Sequence, residues 1–324
     1  MGANVLVVGG AGYIGSHMVR ALLKEGHRPI VFDNLSRGHK EFIPKGVVFI
    51  KGDLRKPADI AGVFKKFRID TVMHFAAYAV VPESVADPIK YYENNVSACV
   101  NLIGAMVKSG TRRFIFSSTC AIFGQPDRLP ISEEEKKNPE SPYGRSKLMV
   151  EMMLEDTAAA HDFSYICLRY FNAAGASTDG KIGEWRETET HLVPNVLKVA
   201  KGEREELVIF GDDYPTPDGT CIRDYIHVED LCEAHLLALK ALRKGMKRNV
   251  FNLGTGRGHS VKEVVATAEK ITGKKVKTRI VKRREGDPPN LVAGSQKAHR
   301  VLGWKARKTL EQIIETAWQW EKSK

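Results

Sequence analysis

The sequence predicts an α/β protein: a Rossmann-type doubly wound parallel sheet with a smaller C-terminal α/β substrate domain. Three observations predict it. Short, continuous, β-branched apolar runs alternate with helical patterns through the first half of the chain, as strands buried on both faces require. The first such run, residues 4–8, passes directly into Gly9-Gly-Ala-Gly-Tyr-Ile-Gly15, which opens a helical stretch over residues 16–25. The next run, residues 29–32, ends at Asp33. Strand, glycine turn, helix, strand and acidic residue together make a dinucleotide-binding unit.

Each part of that unit has a physical task. Glycines let the backbone approach a pyrophosphate, whose charge then sits at a helix N-terminus. Asp33 is placed to hydrogen-bond ribose hydroxyls and to repel a 2′-phosphate, which favours NAD over NADP, with Arg37 the one nearby opposing charge. A third strand over 47–50 leads to Gly52-Asp53-Leu54, where a carboxylate meets the adenine edge. A fourth, over 71–75, ends in the small residues Ala76 and Ala77, and His74 within it reads as packed in the core. A long helix over 88–109 carries Asn94 and Asn95, and a fifth strand over 113–116 opens into Ser117-Ser118-Thr119. Hydroxyls at the carboxyl end of a parallel strand face the crevice where ligands bind.

Pro142 suits the first turn of a helix that runs on from Lys147, so Tyr143 and Lys147 lie four residues apart on one face. A free tyrosine has a pKa of about 10 and is a poor base near neutrality. A nearby ammonium favours the phenolate, which then accepts a proton from a hydroxyl and returns it. A sixth strand spans 164–170. The acidic and lysine-rich stretch within 126–139, Glu133 included, reads as a solvated loop.

After Asn172 the alternation breaks, which sets expected domains of 1–172 and 173–324 with a return segment near 220–253. Residues 173–190 read as an irregular loop closing over a ligand. Helices are expected over 191–201, 228–244, 261–271 (behind a Ser260 cap) and 309–320, with strands over 207–210 and 248–251, the latter returning to the large sheet. Gly254 to Gly258 reads as a loop rather than a second nucleotide site, and Trp318 and Trp320 as packing.

The totals narrow the function classes. The 324 residues are 43% hydrophobic and 27% charged, with no apolar run long enough to span a membrane. The N-terminus lacks the basic start and cleavage site of a signal peptide. Five cysteines without C-x-x-C spacing read as reduced thiols in the cytoplasm. Of the net charge of +11, residues 272–308 carry +10 (twelve Lys and Arg against Glu285 and Asp287). Without interleaved aromatics this reads as a partly solvated face that also attracts an anionic substrate, not as a nucleic-acid surface. No His/Cys/Asp cluster has metal-ligand spacing, so no metal is expected.

These stretches also carry a resemblance. Gly9 to His17, Asp33-Asn-Leu35, Tyr91-Tyr-Glu-Asn-Asn95, Phe116 to Thr119 and Ser141-Pro-Tyr-Gly-Arg-Ser-Lys147 resemble the extended short-chain dehydrogenase/reductase superfamily. Within it the chain is most similar to the UDP-glucose (UDP-galactose) 4-epimerases. The similarity continues through Arg169-Tyr-Phe-Asn172, Ile209 to Pro215, Asp218 to His227, Asn252 to Gly256 and Arg283 to Asp287, nearly the whole chain in family order. The resemblance implies a homodimer through the helices bearing Asn95 and Tyr143, and an NAD-dependent inversion at C4 of a UDP-sugar through a 4-keto intermediate.

It also implies roles. Tyr143 is the base, Lys147 its partner, and Thr119 the hydroxyl that bonds the sugar's 4-oxygen. Gly9, Gly12, Tyr13, Ile14, Gly15, Asp33, Asn34, Leu35, Ser36, Arg37, Gly38, Asp53, Leu54, Phe75, Ala76, Ala77, Tyr78, Ala79, Asn95, Ser117, Tyr170 and Phe171 fall on cofactor contacts, with Tyr143 and Lys147. Asn172, His191, Leu192, Arg223, Arg284, Asp287 and Leu291 fall on UDP-sugar contacts, Arg223 and Arg284 meeting the diphosphate. Three positions depart from the pattern: Ala79 where some members direct a lysine at the pyrophosphate, Phe123 where tyrosine is usual, and Leu291 at the gate for an N-acetyl group. Leucine there predicts that UDP-N-acetylhexosamines are accepted too. Cys120 and Ala121 stand where nucleotide-sugar dehydratases carry Asp-Glu, which argues against elimination. A UDP-uronate or UDP-pentose 4-epimerase differs only in pocket contacts. A non-catalytic dinucleotide-binding regulatory module would have lost Tyr143 or Lys147.

Overall fold

The apolar runs do form a parallel core sheet. In a computed structural model, residues 2–284 and 287–324 are described; Glu285 and Gly286 of the Arg283–Asp287 stretch lie outside them. Contacts divide the chain into two units, residues 1–124, 136–169 and 232–251 in one, and 125–135, 170–231 and 252–324 in the other.

The first unit alternates β1 (Asn4–Val8), α1 (Tyr13–Lys24), β2 (Arg28–Asp33), β3 (Val48–Lys51), α2 (Pro57–Lys66), β4 (Thr71–His74), α3 (Val81–Ala86), α4 (Pro88–Tyr92), α5 (Ala98–Ser109), β5 (Arg113–Thr119), α6 (Pro142–Ala160) and β6 (Ser164–Tyr170). Later strands and helices complete the chain: β7 (Asn172–Ala174), α7 (Leu192–Lys201), β8 (Leu207–Phe210), β9 (Ile222–His227), α8 (Val228–Arg243) and β10 (Arg248–Leu253). They are followed by β11 (Gly258–Ser260), α9 (Val261–Thr272), β12 (Thr278–Val281), β13 (Asn290–Leu291), α10 (Gln296–Leu302) and α11 (Leu310–Ser323).

The seven-stranded sheet runs β10-β6-β5-β4-β1-β2-β3. The order reverses beside β1, whose neighbours β4 and β2 both run parallel to it, and a crevice opens at the carboxyl ends there. Leu6, Val8, Phe32, Val72, Phe114, Phe116 and Cys167 from the sheet pack against Ile60, Leu102, Met106, Val150 and Leu154 from the helices. The expected strand over 248–251 does join the large sheet, as β10.

The second unit holds β9 flanked by β11, β13 and β7, and the separate pair β12-β8. Helices α7, α9 and α11 bury Val196, Leu197, Val264, Ile313 and Ile314 in its core. Ser260 and Thr309 each cap a helix through a reciprocal capping box.

Three sequence expectations are corrected. The helix expected over 88–109 is interrupted by a π-helical turn, Glu93–Ser97, between α4 and α5; the extra residue per turn accommodates the buried Asn95, whose amide is bonded to the Tyr78 backbone. Glu133 is not solvated: it is 6% exposed and accepts from the Asn252 amide at 2.8 Å, because the Ile131 strand-like bridge to Ala293 carries it inward. The stretch 173–190 is not wholly irregular, since β7 pairs with β9. Among the described residues no helix is long and apolar enough to cross a membrane, and the five cysteines form no disulfide.

Candidate active site

At the end of β1 the chain turns back so tightly that only glycine fits. Gly9 has φ +79°, and a Cβ on it would lie 2.5 Å from the Ala76 nitrogen; one on Gly15 would lie 2.1 Å from the Gly9 oxygen. These two residues seat α1 against the sheet. Gly12 is the N-cap of α1 and lends it no side chain, and a Cβ there would meet only the Gly9 oxygen, at 3.4 Å. An uncapped helix start facing a glycine cradle fits an anionic pyrophosphate, and on this observation the residues present fit a dinucleotide.

Asp33, 8% exposed, ends β2 and is part of the same cradle. Its Oδ2 accepts from the Ala11 amide at 3.0 Å and its Oδ1 from the Leu35 amide at 2.8 Å. Burial pushes its pKa up, opposed by those two amide bonds. The second bond holds Leu35 in the left-handed region, at φ 62°, a conformation that a branched side chain adopts only when its surroundings impose it. Ser36 N donates to Asn34 Oδ1, and Gly38 packs on Ala11.

Asp53 is engaged within the chain itself. Its carboxylate is forked by Arg55, Nη2 at 2.6 Å, and also accepts from Asn34, so it lies well below the usual carboxylate range, with the Arg55 bonds the main cause. Leu54 is buried; Phe75, Ala76, Ala77 and Tyr78 are half-buried along the segment after β4, and Ala79 is exposed.

The catalytic candidates cluster at the end of β5 and the start of α6. Ser141 caps α6 by accepting from the Gly144 amide, Pro142 opens the helix, and Tyr143 is half-buried in its first turn. One turn on, Lys147 is 4% exposed and donates from Nζ to the Ser117 carbonyl at 2.8 Å, with Nζ 4.7 Å from the centre of the Phe116 ring. Burial lowers its pKa to about 8, while the nearby Cys99, Glu151 and Cys167 favour the ammonium. Conversely the same burial, reinforced by the Lys147 charge, lowers His74 to about 3, and burial raises Cys99 to about 12. His74 is thus a neutral core residue, 3.4 Å from Cys99 Sγ.

The three hydroxyls after Phe116 diverge. Ser117 Oγ lies 3.4 Å from His235 Nε2, Ser118 Oγ donates to Glu151 at 2.6 Å, and Thr119 Oγ1 accepts from the Ala121 amide. Glu151 in turn holds the Arg169 guanidinium by two bonds, 2.6 and 2.9 Å, inside the core. Phe123 is fully buried with its ring 5.5 Å from the Arg169 guanidinium carbon. Sequence reasoning missed the Glu151–Arg169 pair. The position of Glu151, four residues after Lys147 on the same helix face, was the available signal.

The second unit carries the remaining candidates. Asn172 Nδ2 donates to the Asp224 carbonyl. Arg223 Nη2 and Asp287 Oδ1 are 2.6 Å apart, Tyr214 OH is 3.5 Å from the same carboxylate, and Leu291 stands opposite Arg223 in the β13–β9 register. Arg284 is exposed, its guanidinium carbon 3.9 Å over the Phe210 ring. His191 occupies the N-cap position of α7, ahead of Leu192, without a side-chain capping bond, and its Nδ1 lies 2.7 Å from Glu184. Spacing along the chain had shown no metal-ligand cluster, yet Glu184, Glu189 and His191 bring ligand atoms within 4.8 Å of one another. The Glu184 carboxylate is already bonded to Arg186 and His191. Tyr170 ends β6 half-buried, and Phe171 is buried.

Comparison with known proteins gives one consistent answer. The model of the NAD dependent epimerase/dehydratase family matches residues 5–254. A UDP-glucose 4-epimerase of Halalkalibacterium halodurans is 49% identical over 98% of this chain and 95% of that relative. The crystal structure of UDP-glucose 4-epimerase from Brucella ovis in complex with NAD is 48% identical, with a TM-score of 0.95 over 98% of this chain and 97% of that one. The enzyme from Bifidobacterium longum, solved with NAD+ and UDP, is 39% identical with a TM-score of 0.94 over 99% and 98%.

Proposed function

The chain belongs to the NAD dependent epimerase/dehydratase family, and from that premise we infer that it is an isomerase that interconverts UDP-glucose and UDP-galactose. NAD is its cofactor, held by the Gly9–Gly15 turn, Asp33 and the segment from Phe75 to Tyr78. When bound it supplies a hydride acceptor that gives the hydride back within the same cycle.

The chain's own residues do the rest. Tyr143 takes the proton from the sugar's O4 as the 4-keto sugar forms, and returns it at the end of the cycle. Lys147 favours the phenolate electrostatically, and its own position is held by the Ser117 carbonyl. Thr119 offers a hydroxyl to the 4-oxygen. Arg223 and Arg284 supply forked donors for the diphosphate, anchoring the UDP end while the sugar turns and presents its other face. Asp287 keeps the Arg223 guanidinium oriented. The observation that carries this reading is the buried Lys147 ammonium fixed at the end of β5, one helical turn from Tyr143.

The test is conversion of UDP-galactose to UDP-glucose without added NAD, by wild type and Tyr143→Phe. Wild type is expected to turn over and the variant to lose a factor of about 10³ or more. Equal rates would remove Tyr143 as base. The same assay with UDP-GlcNAc examines Leu291, and undetectable turnover there would restrict the enzyme to sugars without an N-acetyl group.

We also propose a homodimer. Val85, Ile89, Val100 and Met152, on α3 to α6 of one unit, are 64%, 63%, 53% and 58% exposed, an apolar face that a second copy of the same helices covers isologously. Five cysteines joined by no disulfide support a reducing compartment, the cytoplasm.

A further inference from the structure

The strand order β4-β1-β2 puts the glycine turn after β1 between two flanks. On one side lies the loop after β2, docked on the turn by the His39 amide, which donates to the Ala11 carbonyl at 2.9 Å. On the other lies the segment after β4, docked by the Ala76 amide on the Val8 carbonyl. A dinucleotide in this fold binds in the crevice between such flanks. An ion pair crosses from flank to flank: Arg37, in the loop after β2, to Glu83, in the helix that follows the β4 segment, at 3.0 Å.

Glu83 is not a casual surface partner. Its Oε1 accepts from Lys90 Nζ at 2.6 Å, and its Oε2 lies 2.7 Å from the hydroxyl of Tyr91, a fully buried residue that also accepts from the Val80 amide at 2.9 Å. Arg37 and Lys90 lie 5.2 and 5.0 Å from the centre of the Tyr78 ring. The carboxylate therefore ties an exposed cation on one flank to an anchored tyrosine on the other. The neighbouring Ala79 contributes no cation of its own.

We propose that Arg37, Glu83 and Lys90 form a strap across the mouth of the nucleotide crevice that sets how long the dinucleotide is retained. This rests on the NAD assignment above. Release requires the flanks to part and the Arg37–Glu83 bond to open, whereas the chemistry at Tyr143 does not involve it.

The test is loss of dinucleotide from NAD-loaded protein passed into dinucleotide-free buffer, read as bound nucleotide remaining after acid release, at low and high salt. Glu83→Gln removes the charge and keeps a polar partner for Tyr91. Its dissociation rate is expected to rise about fivefold, the limit for one solvent-screened ion pair. Salt should speed release from wild type but much less from the variant. Arg37→Ala, also a candidate cofactor contact, separates the two roles: combined with Glu83→Gln it should release no faster than Arg37→Ala alone. Equal release rates with equal salt response in wild type and Glu83→Gln, or fully additive effects in the double variant, would overturn the strap. Wild type that takes up no NAD at all would overturn the NAD assignment, and the strap with it.

Discussion

Lys147→Met isolates the cost of burying the ammonium. Methionine keeps an unbranched apolar stem of similar length and removes the charge that lies over the Phe116 ring. In wild type the folded-state pKa falls from 10.5 to about 8, chiefly through burial. At about 1.4 kcal/mol per pKa unit, the buried charge costs roughly 3 kcal/mol at neutral pH. The variant relieves that but leaves the Ser117 carbonyl without its donor, a loss of about 1–3 kcal/mol, so near pH 7 the two proteins should be close in stability. The pH dependence is sharper than the difference itself. Between the folded value of about 8 and the unfolded value of 10.5 the unfolded chain binds more protons than the folded one, so wild-type stability rises with pH in that window. The variant has no such group, and other titrations cancel in the comparison. From pH 7 to pH 9.5 wild type should gain about 2 kcal/mol on Lys147→Met. Urea unfolding of both proteins, freed of dinucleotide, measures this directly. A gap that stays constant to within about 0.5 kcal/mol would show that Lys147 titrates as an exposed lysine does, and the account of its burial would be wrong.

Two further outcomes test the surroundings of the site. Glu151→Gln leaves the Arg169 guanidinium, 2% exposed, without its counter-charge, and should cost about 3–5 kcal/mol in urea unfolding. Glu151→Met with Arg169→Met should recover most of that, and a single-variant loss under about 1 kcal/mol would contradict the structural weight given to the pair. For the dimer, sedimentation equilibrium should give twice the chain mass for wild type and a smaller species for Met152→Glu, which buries a carboxylate in the apolar face; an unchanged mass in the variant would place the interface elsewhere.

Much of the first unit was legible because its signals are short-range. The glycine turn is written in the residues that directly follow β1, although Gly9 also meets Ala76 across the sheet, and Tyr143 and Lys147 share a face because the helix repeat puts them there. The π turn at Glu93–Ser97 was not legible, since the sequence on either side is ordinary helix and only the Asn95 bond to the Tyr78 backbone marks it. Nor was the state of the charged residues. Asp53 and Arg55 are neighbours in sequence, yet which carboxylate oxygens remained for a ligand depended on Asn34 as well.

What the sequence determined by itself is the order of the first six strands, the glycine turn and the tyrosine–lysine helix, all set by patterns within a turn or a strand. What only the tertiary structure decided is which charge meets which. Glu151 with Arg169, Arg37 with Glu83, Arg223 with Asp287 and Glu133 with the Asn252 amide join residues 18, 46, 64 and 119 positions apart. No local pattern carries such a pairing. Coulomb attraction and desolvation depend on separation and burial in space, and these are known only once the strand order has brought distant segments together.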